Sequence, residues 1–176
     1  MKLSNVELKD VEKIRIWRNE NLQALRTPFL LTKEMQEDFY NNIISNRTSN
    51  NRFWAIRNDS AKWSFLGMIG IVNIEWENSI GEISILIDPS ERGKGIGKKS
   101  IEMLLNQGFN FLNLSNIYGE CYKCNESHIF WEKICNKYNA YVTILPAKKY
   151  YNGEYYDSMY FNFNYLDYLN KPKKIK

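Results

Sequence analysis

Residues 80–99 constrain the fold more tightly than any other part of the chain. Ile83, Ile85 and Ile87 alternate with Glu82, Ser84 and Leu86, the two-residue period of a strand with one apolar face. Asp88-Pro89 ends the strand, because proline brings no N–H to a ladder. The run Arg92-Gly93-Lys94-Gly95-Ile96-Gly97 follows, and Ile101, Leu104, Leu105, Gly108 and Phe109 then mark one side of a long helix. Glycine lets backbone approach a ligand closely, and the first N–H groups of a helix have no partner inside it. Those amides and the positive end of the helix dipole make a diphosphate site, to which Arg92, Lys94 and Lys98 add charge. A Walker loop needs Gly-x-x-x-x-Gly-Lys-Ser/Thr, which this run does not supply. A dinucleotide fingerprint needs Gly-x-Gly-x-x-Gly, and here the last glycine comes one position early.

The rest of the chain has a readable order. A short strand over 3–8 precedes Asp10, a good helix N-cap residue, and Val11, Ile14 and Trp17 recur at helical spacing. After Pro28, Thr32 caps a second helix in which Met35, Phe39 and Ile43 are spaced by four. Strands at 52–57, 66–74 and 80–88, the last two parted by Asn78-Ser79, predict an antiparallel meander. Beyond the glycine loop come a strand at 116–123, a helix from about 125 to 138, and strands at 140–145 and 155–165. Asn152-Gly153 predicts a tight hairpin turn, since both residues tolerate φ > 0. The order reads ββββ-α-β-α-ββ after two opening helices, a mixed α/β arrangement and not a doubly wound one.

With 176 residues, 44% of them hydrophobic, the chain suits a single domain, expected over 1–168, with a basic tail at 169–176. The net charge of +4 lies in that tail: without Lys171, Lys173, Lys174 and Lys176 the 24 Lys and Arg fall to 20, equal to the 20 Asp and Glu. A neutral body argues against a nucleic-acid partner. No apolar run reaches the roughly 18 residues of a membrane span, and the first residues lack a signal-peptide core, so no membrane partner and a cytoplasmic location are expected. Cys121, Cys124 and Cys135 make no disulfide framework. Cys121-x-x-Cys124, His128 and Cys135 offer zinc-ligand types, but His128 and Cys135 would stand roughly 10 Å apart along one helix, too far for one tetrahedral ion. No metal is expected.

Arg92-x-x-Gly95-x-Gly97 after a strand resembles the signature of the GNAT N-acetyltransferases. Asn125-Glu126-Ser127-His128-Ile129-Phe130-Trp131-Glu132-Lys133 is similar to the family's second signature, and the resemblance runs over roughly 3–165. It implies the GNAT fold, a mostly antiparallel sheet of six to seven strands flanked by about four helices. It also implies acetyl-CoA as cosubstrate. Ile85-Leu86-Ile87 would then border the pantetheine arm, with Ile85 and Ile87 pairing to it through their backbones. The diphosphate would lie on Arg92, Gly93, Lys94, Gly95, Ile96, Gly97 and Lys98, and Asn125 would border the arm. Trp131 stands where many members carry a tyrosine that protonates the leaving thiolate, and Cys135-Asn136 replaces a Gly-Phe.

Acetyl transfer to an amine needs a base, because an alkylammonium is mostly protonated at neutral pH. Glu82, off the apolar face of its strand, and Glu120, sharing a face with Tyr118 and Tyr122, are the candidates. Tyr122 is a candidate for the missing acid. Trp17, Arg18 and Arg26 lie where the family builds its acceptor pocket. The Trp17-Arg18-Asn19 start resembles the branches that acetylate amino sugars on nucleotide carriers and ribosomal-protein N-termini. Arg18 or Arg26 would hold an anionic group of the acceptor by bidentate bonds. The expected acceptor is therefore an amino sugar on a nucleotide carrier ahead of a protein N-terminal amine, the alternative to turnover being a CoA-binding module without activity. The expected state is a monomer or homodimer.

Overall fold

The structure is a computed structural model and describes residues 1–26, 28–59 and 64–170. Lys171, Lys173, Lys174 and Lys176 of the basic tail lie outside the described residues. Seven strands form one sheet: β1 (Lys2–Ser4), β2 (Arg52–Arg57), β3 (Phe65–Glu75), β4 (Ile80–Ile87), β5 (Asn116–Tyr122), β6 (Tyr141–Tyr151) and β7 (Glu154–Asn164). The spatial order is β1-β2-β3-β4-β5-β7-β6, and only β4 and β5 run parallel. The helices are α1 (Val11–Asn19), α2 (Lys33–Phe39), α3 (Ile96–Asn106), α4 (His128–Tyr138) and α5 (Tyr165–Leu169). This is the mixed α/β, mostly antiparallel architecture that the strand and helix periodicities predict.

Three details differ from the sequence reading. Three strands, not four, follow the opening helices; the fourth, β1, precedes them and pairs with β2. The strand expected over 140–145 runs on to Tyr151, because a register shift between Leu145 and Lys149 absorbs Pro146. β6 is a sheet edge, where proline is tolerated. The third is α5, where the Asn164 side chain accepts from the Leu166 N–H at 2.9 Å and starts a helical turn in place of the end of a strand. The hairpin turn has the backbone its residues predict, with φ of 49° at Asn152 and 87° at Gly153.

The alternation along β4 divides the core in two. Ile83, Ile85 and Ile87 face the larger cluster, where Ile101, Leu104 and Leu105 of α3 and Trp131 and Ile134 of α4 are buried. Leu86 points the other way, into a smaller cluster of Ile14 and Trp17 of α1 with Ala55, Phe65 and Met68. The helical turn Gln107–Phe111, which continues from α3, comes close to β5 at Gly108, where a Cβ would lie 2.3 Å from the Ile117 side chain.

Asp10, expected to cap α1, makes no side-chain cap bond to that helix. Its carboxylate accepts from Arg57 at 2.6 Å and 3.3 Å and from the Glu7 N–H at 2.9 Å. Both partners are buried, at 3% and 4% exposure, so a long-range ion pair takes the carboxylate a local cap would have used. Asp10→Ala should cost about 3 kcal/mol in urea unfolding, because it leaves the buried Arg57 guanidinium with only the more distant carboxylate of Glu7, at 3.6 Å.

Candidate active site

The site begins where two strands part. β4 and β5 pair only at Ile80↔Asn116, Gly81↔Ile117 and Glu82↔Tyr118. Beyond that row β4 stays with β3 as far as Gly67↔Ile87, and β5 stays with β7 as far as Tyr122↔Ser158. A wedge therefore opens between residues 83–87 of β4 and the end of β5, and the inner edge of β4 has no strand partner there. A slender extended group can enter such a wedge and complete the ladder with its own amides. Ile85, Leu86 and Ile87 line it.

The glycine loop closes the wide end of the wedge. The Asp88 side chain accepts from the Ser90 N–H at 2.9 Å and from the Ser90 hydroxyl at 2.7 Å, turning the chain after Ile87. Gly93 and Gly95 have φ of 76° and 80°, the left-handed region, and Gly95 is the N-cap of α3. A Cβ added at either would meet nothing within 4 Å, so the loop is open on its outer side. The first bond of α3 is Lys99 N–H to the Gly95 carbonyl, at 3.2 Å; the amides of Ile96, Gly97 and Lys98 precede it and have no partner within the helix. A Cβ on Gly97 would lie 3.2 Å from the Phe130 ring of α4. Arg92 and Lys98 are exposed, while Lys94 pairs with Glu91 at 3.1 Å.

At the narrow end of the wedge two carboxylates converge on one cation. Arg26 Nη2 lies 2.7 Å from Glu82 Oε1 and 3.2 Å from Glu120 Oε2. The glutamate side chains are 13% and 5% exposed and the arginine 57%. Burial works against the Arg26 charge, but the bonds to Glu82, Tyr122 and Glu120 outweigh it and raise its pKa. Each carboxylate is also held from behind: Glu82 Oε2 accepts from Asn73 Nδ2 at 3.1 Å, and Glu120 Oε1 from the Ser158 hydroxyl at 2.7 Å. Lys149, 5% exposed, fixes the segment that carries Arg26, donating to the Leu25 carbonyl at 2.7 Å and the Arg26 carbonyl at 3.3 Å. Its Nζ also sits 5.2 Å from the centre of the Tyr122 ring. Asn73, Lys149 and Ser158 escape the sequence reading because they come from three distant strand positions with no shared local pattern.

The other candidates sort by burial. Tyr122 is 6% exposed, and burial, then the Glu120 charge, raise its phenol pKa, so it keeps its proton at neutral pH. Trp131 is 6% exposed and stacks on Phe161, centroids 4.6 Å apart, within the larger core cluster. Trp17, expected near the acceptor, is a core ring as well, stacked on Phe65 at 5.5 Å. Arg18 has a buried Nε with no hydrogen-bond partner, and burial lowers its pKa. The Asn125 side-chain oxygen Oδ1 accepts from the Ser127 N–H at 3.0 Å and hydroxyl at 2.8 Å ahead of α4. Burial pushes the Cys121 and Cys135 thiols up to about 11 and about 12, which keeps them from acting as nucleophiles. Among the described residues no group of three or more His, Cys, Asp or Glu could hold a metal ion, and no helix is long and apolar enough to cross a membrane.

Known proteins share this fold. The family model described as an acetyltransferase (GNAT) domain matches residues 1–129. A spermidine N(1)-acetyltransferase of Vibrio cholerae is 25% identical over 116 residues, 66% of this chain and 64% of that protein. The chain thus matches slightly less than two thirds of that relative's length. A crystal structure of the Vibrio cholerae spermidine N-acetyltransferase with CoA and spermine superposes with a TM-score of 0.82 at 22% identity, covering 96% of this chain and 98% of that one. A dodecameric structure of the Vibrio cholerae enzyme superposes with a TM-score of 0.78 at 23% identity, over 96% of each chain. At these identities the superpositions establish the fold.

Gly95→Glu tests the loop directly. The position has room for a side chain, so the fold should survive, with about 1–2 kcal/mol of local strain from the left-handed backbone. The added carboxylate would face the diphosphate, and the dissociation constant for CoA should rise more than tenfold in calorimetry. A value within threefold of wild type would show that the loop does not hold the diphosphate.

Proposed function

The chain belongs to the GNAT acetyltransferase family, and on that premise we propose that it is an acetyl-CoA-dependent N-acetyltransferase whose acceptor is a cationic aliphatic amine of the polyamine type. The observation that carries this reading is the pair Glu82 and Glu120 closing on a single guanidinium at the narrow end of the wedge. An acceptor ammonium has the charge of that guanidinium and takes its place between the carboxylates. A nucleotide sugar, the acceptor expected from Arg18 and Arg26, would instead bring a diphosphate against two nearly buried carboxylates. Arg26 gives its Nη2 to both of them, so its charge is already met by two carboxylates before an acceptor arrives. The spermidine acetyltransferase relative points the same way.

In this reading acetyl-CoA supplies the activated acetyl group, its arm lying along residues 85–87 and its diphosphate on the α3 amides. Glu82 sits in the last paired row before β4 and β5 part, and it takes the proton that makes the amine nucleophilic. Glu120, anchored by Ser158, holds the amine in line. Tyr122 donates a proton toward the leaving sulfur as the C–S bond breaks, the role that the buried indole of Trp131 cannot perform. The nitrogen gains the acetyl group and gives up its second proton, which restores Tyr122 through solvent, and the proton taken by Glu82 returns to solvent.

The test is turnover of acetyl-CoA against an acceptor panel. Spermidine and simple diamines should release thiol, and nucleotide sugars should neither react nor inhibit. Turnover of nucleotide sugars alone would restore the anionic acceptor, and CoA binding with no turnover of any amine would leave a non-catalytic module. Within the panel, Glu82→Gln should lower kcat by about 10²–10⁴ with the KM for acetyl-CoA little changed, whereas Glu120→Gln should act mainly on the acceptor KM. Arg26→Ala removes a competing cation and should lower the acceptor KM; a rise would mean that Arg26 binds the acceptor itself.

A further inference from the structure

The sheet face that carries Glu82 and Glu120 continues past them into a surface that the proposed chemistry does not use. The core under α1 reaches Leu86 and takes in no residue of β5, β6 or β7. Beyond the reach of that core, Tyr118 and Tyr160 stack with centroids 5.8 Å apart and planes inclined by 14°. Both rings are half-buried. Tyr118 is directly opposite Glu82, and Tyr160 is directly opposite Glu120, so the ring pair lies one strand away from the two carboxylates. Glu75 is opposite Ile80, which shares the face of Glu82, and it is exposed.

We propose that the stacked pair Tyr118–Tyr160, with Glu75 beyond it, is a second-cation subsite that makes this site select acceptors carrying two ammonium groups separated by a short aliphatic spacer. The inference rests on the proposed amine acetylation and adds to it the residues that set acceptor specificity. Neighbouring strands lie about 4.8 Å apart and residues two apart on a strand about 6.7 Å. A cation placed over these rings is therefore within a three- or four-carbon spacer of an amine held by Glu82 and Glu120. Aromatic faces attract cations within about 6 Å of the ring centre, and this protein already places Lys149 over Tyr122 and Arg52 over Trp76 in that way. The field at the rings has the required sign: after burial, the charges of Glu82 and Glu75 raise the Tyr118 phenol, and those of Glu82 and Glu120 raise Tyr160. A saturated spacer would lie over the same rings, and a monoamine would leave the subsite empty.

The experiment compares kcat/KM for butylamine, 1,3-diaminopropane and 1,4-diaminobutane with the full-length protein and its Tyr118→Leu, Tyr118→Phe and Glu75→Gln variants. In wild type the diamines should be preferred. Tyr118→Leu should reduce the ratio of diamine to butylamine about tenfold, on the scale of one desolvated cation–ring contact. Tyr118→Phe, which keeps the ring face, should retain most of the preference. Glu75→Gln, at an exposed position where the amide oxygen can still accept from Asn78 Nδ2, should reduce it severalfold and restrict the loss to low salt. If wild type acetylates butylamine and the diamines equally, or if Tyr118→Leu changes all three amines by one factor, the subsite does not exist even though amine acetylation stands. Wild type that acetylates none of the amines overturns the acceptor reading and the subsite together.

Discussion

Among the described residues β4 and β5 are the only parallel neighbours in an otherwise antiparallel sheet, and their pairing stops after three rows. Parallel strands need a long crossover, here the glycine loop and α3, which packs over the apolar face of β4. The crossover pins one end of the pair, while β3 and β7 pull the other ends apart by holding their own partners along their full length. The wedge is thus a consequence of sheet topology. It sets an unpaired strand edge, a helix N-terminus and a pair of carboxylates around one opening.

Each wall of the opening is supported from a different layer. The loop is placed by the α3–α4 core, where Gly97 lets the first turn of α3 approach the Phe130 ring. The acidic end is placed from the opposite side of the sheet, by Asn73 and Ser158 behind the carboxylates and by Lys149 under the segment that carries Arg26. Lys149 is a buried cation whose work is structural: it satisfies two carbonyls of an irregular segment that has no strand or helix partners of its own. The charge of the opening therefore changes along its length. Backbone amides and the helix dipole favour anion at the loop, and Glu82 and Glu120 favour cation where β4 and β5 meet.

The two arginines that the sequence reading gave one role have different environments. Arg26 is a surface side chain that folds back onto two carboxylates, which converts an expected anion site into a site whose own charge is negative. Arg18 lies on α1 with its Nε buried and unbonded. Trp17, next to it, belongs to the core against Phe65. Neighbours in sequence thus fall into separate chemical settings because a helix turns each residue by about 100° from the last.

The strand, the proline stop, the glycines and the helix over 80–99 were legible from local pattern alone, because each depends on backbone rules that act over a few residues. The two faces of β4 and the hairpin at Asn152-Gly153 belong to the same class. The early end of β4–β5 pairing was not legible, since it depends on which strands flank that pair. The longer β6 needed a bulge to absorb Pro146, and Asp10 left its local cap for Arg57 47 residues away. Tertiary structure also decided the charge around Arg26: sequence proximity put it near Arg18, while folding put it between Glu82 and Glu120, 56 and 94 residues distant. Local chemistry specified a run of unpartnered amides at a helix start, and only long-range packing brought two carboxylates together on one guanidinium.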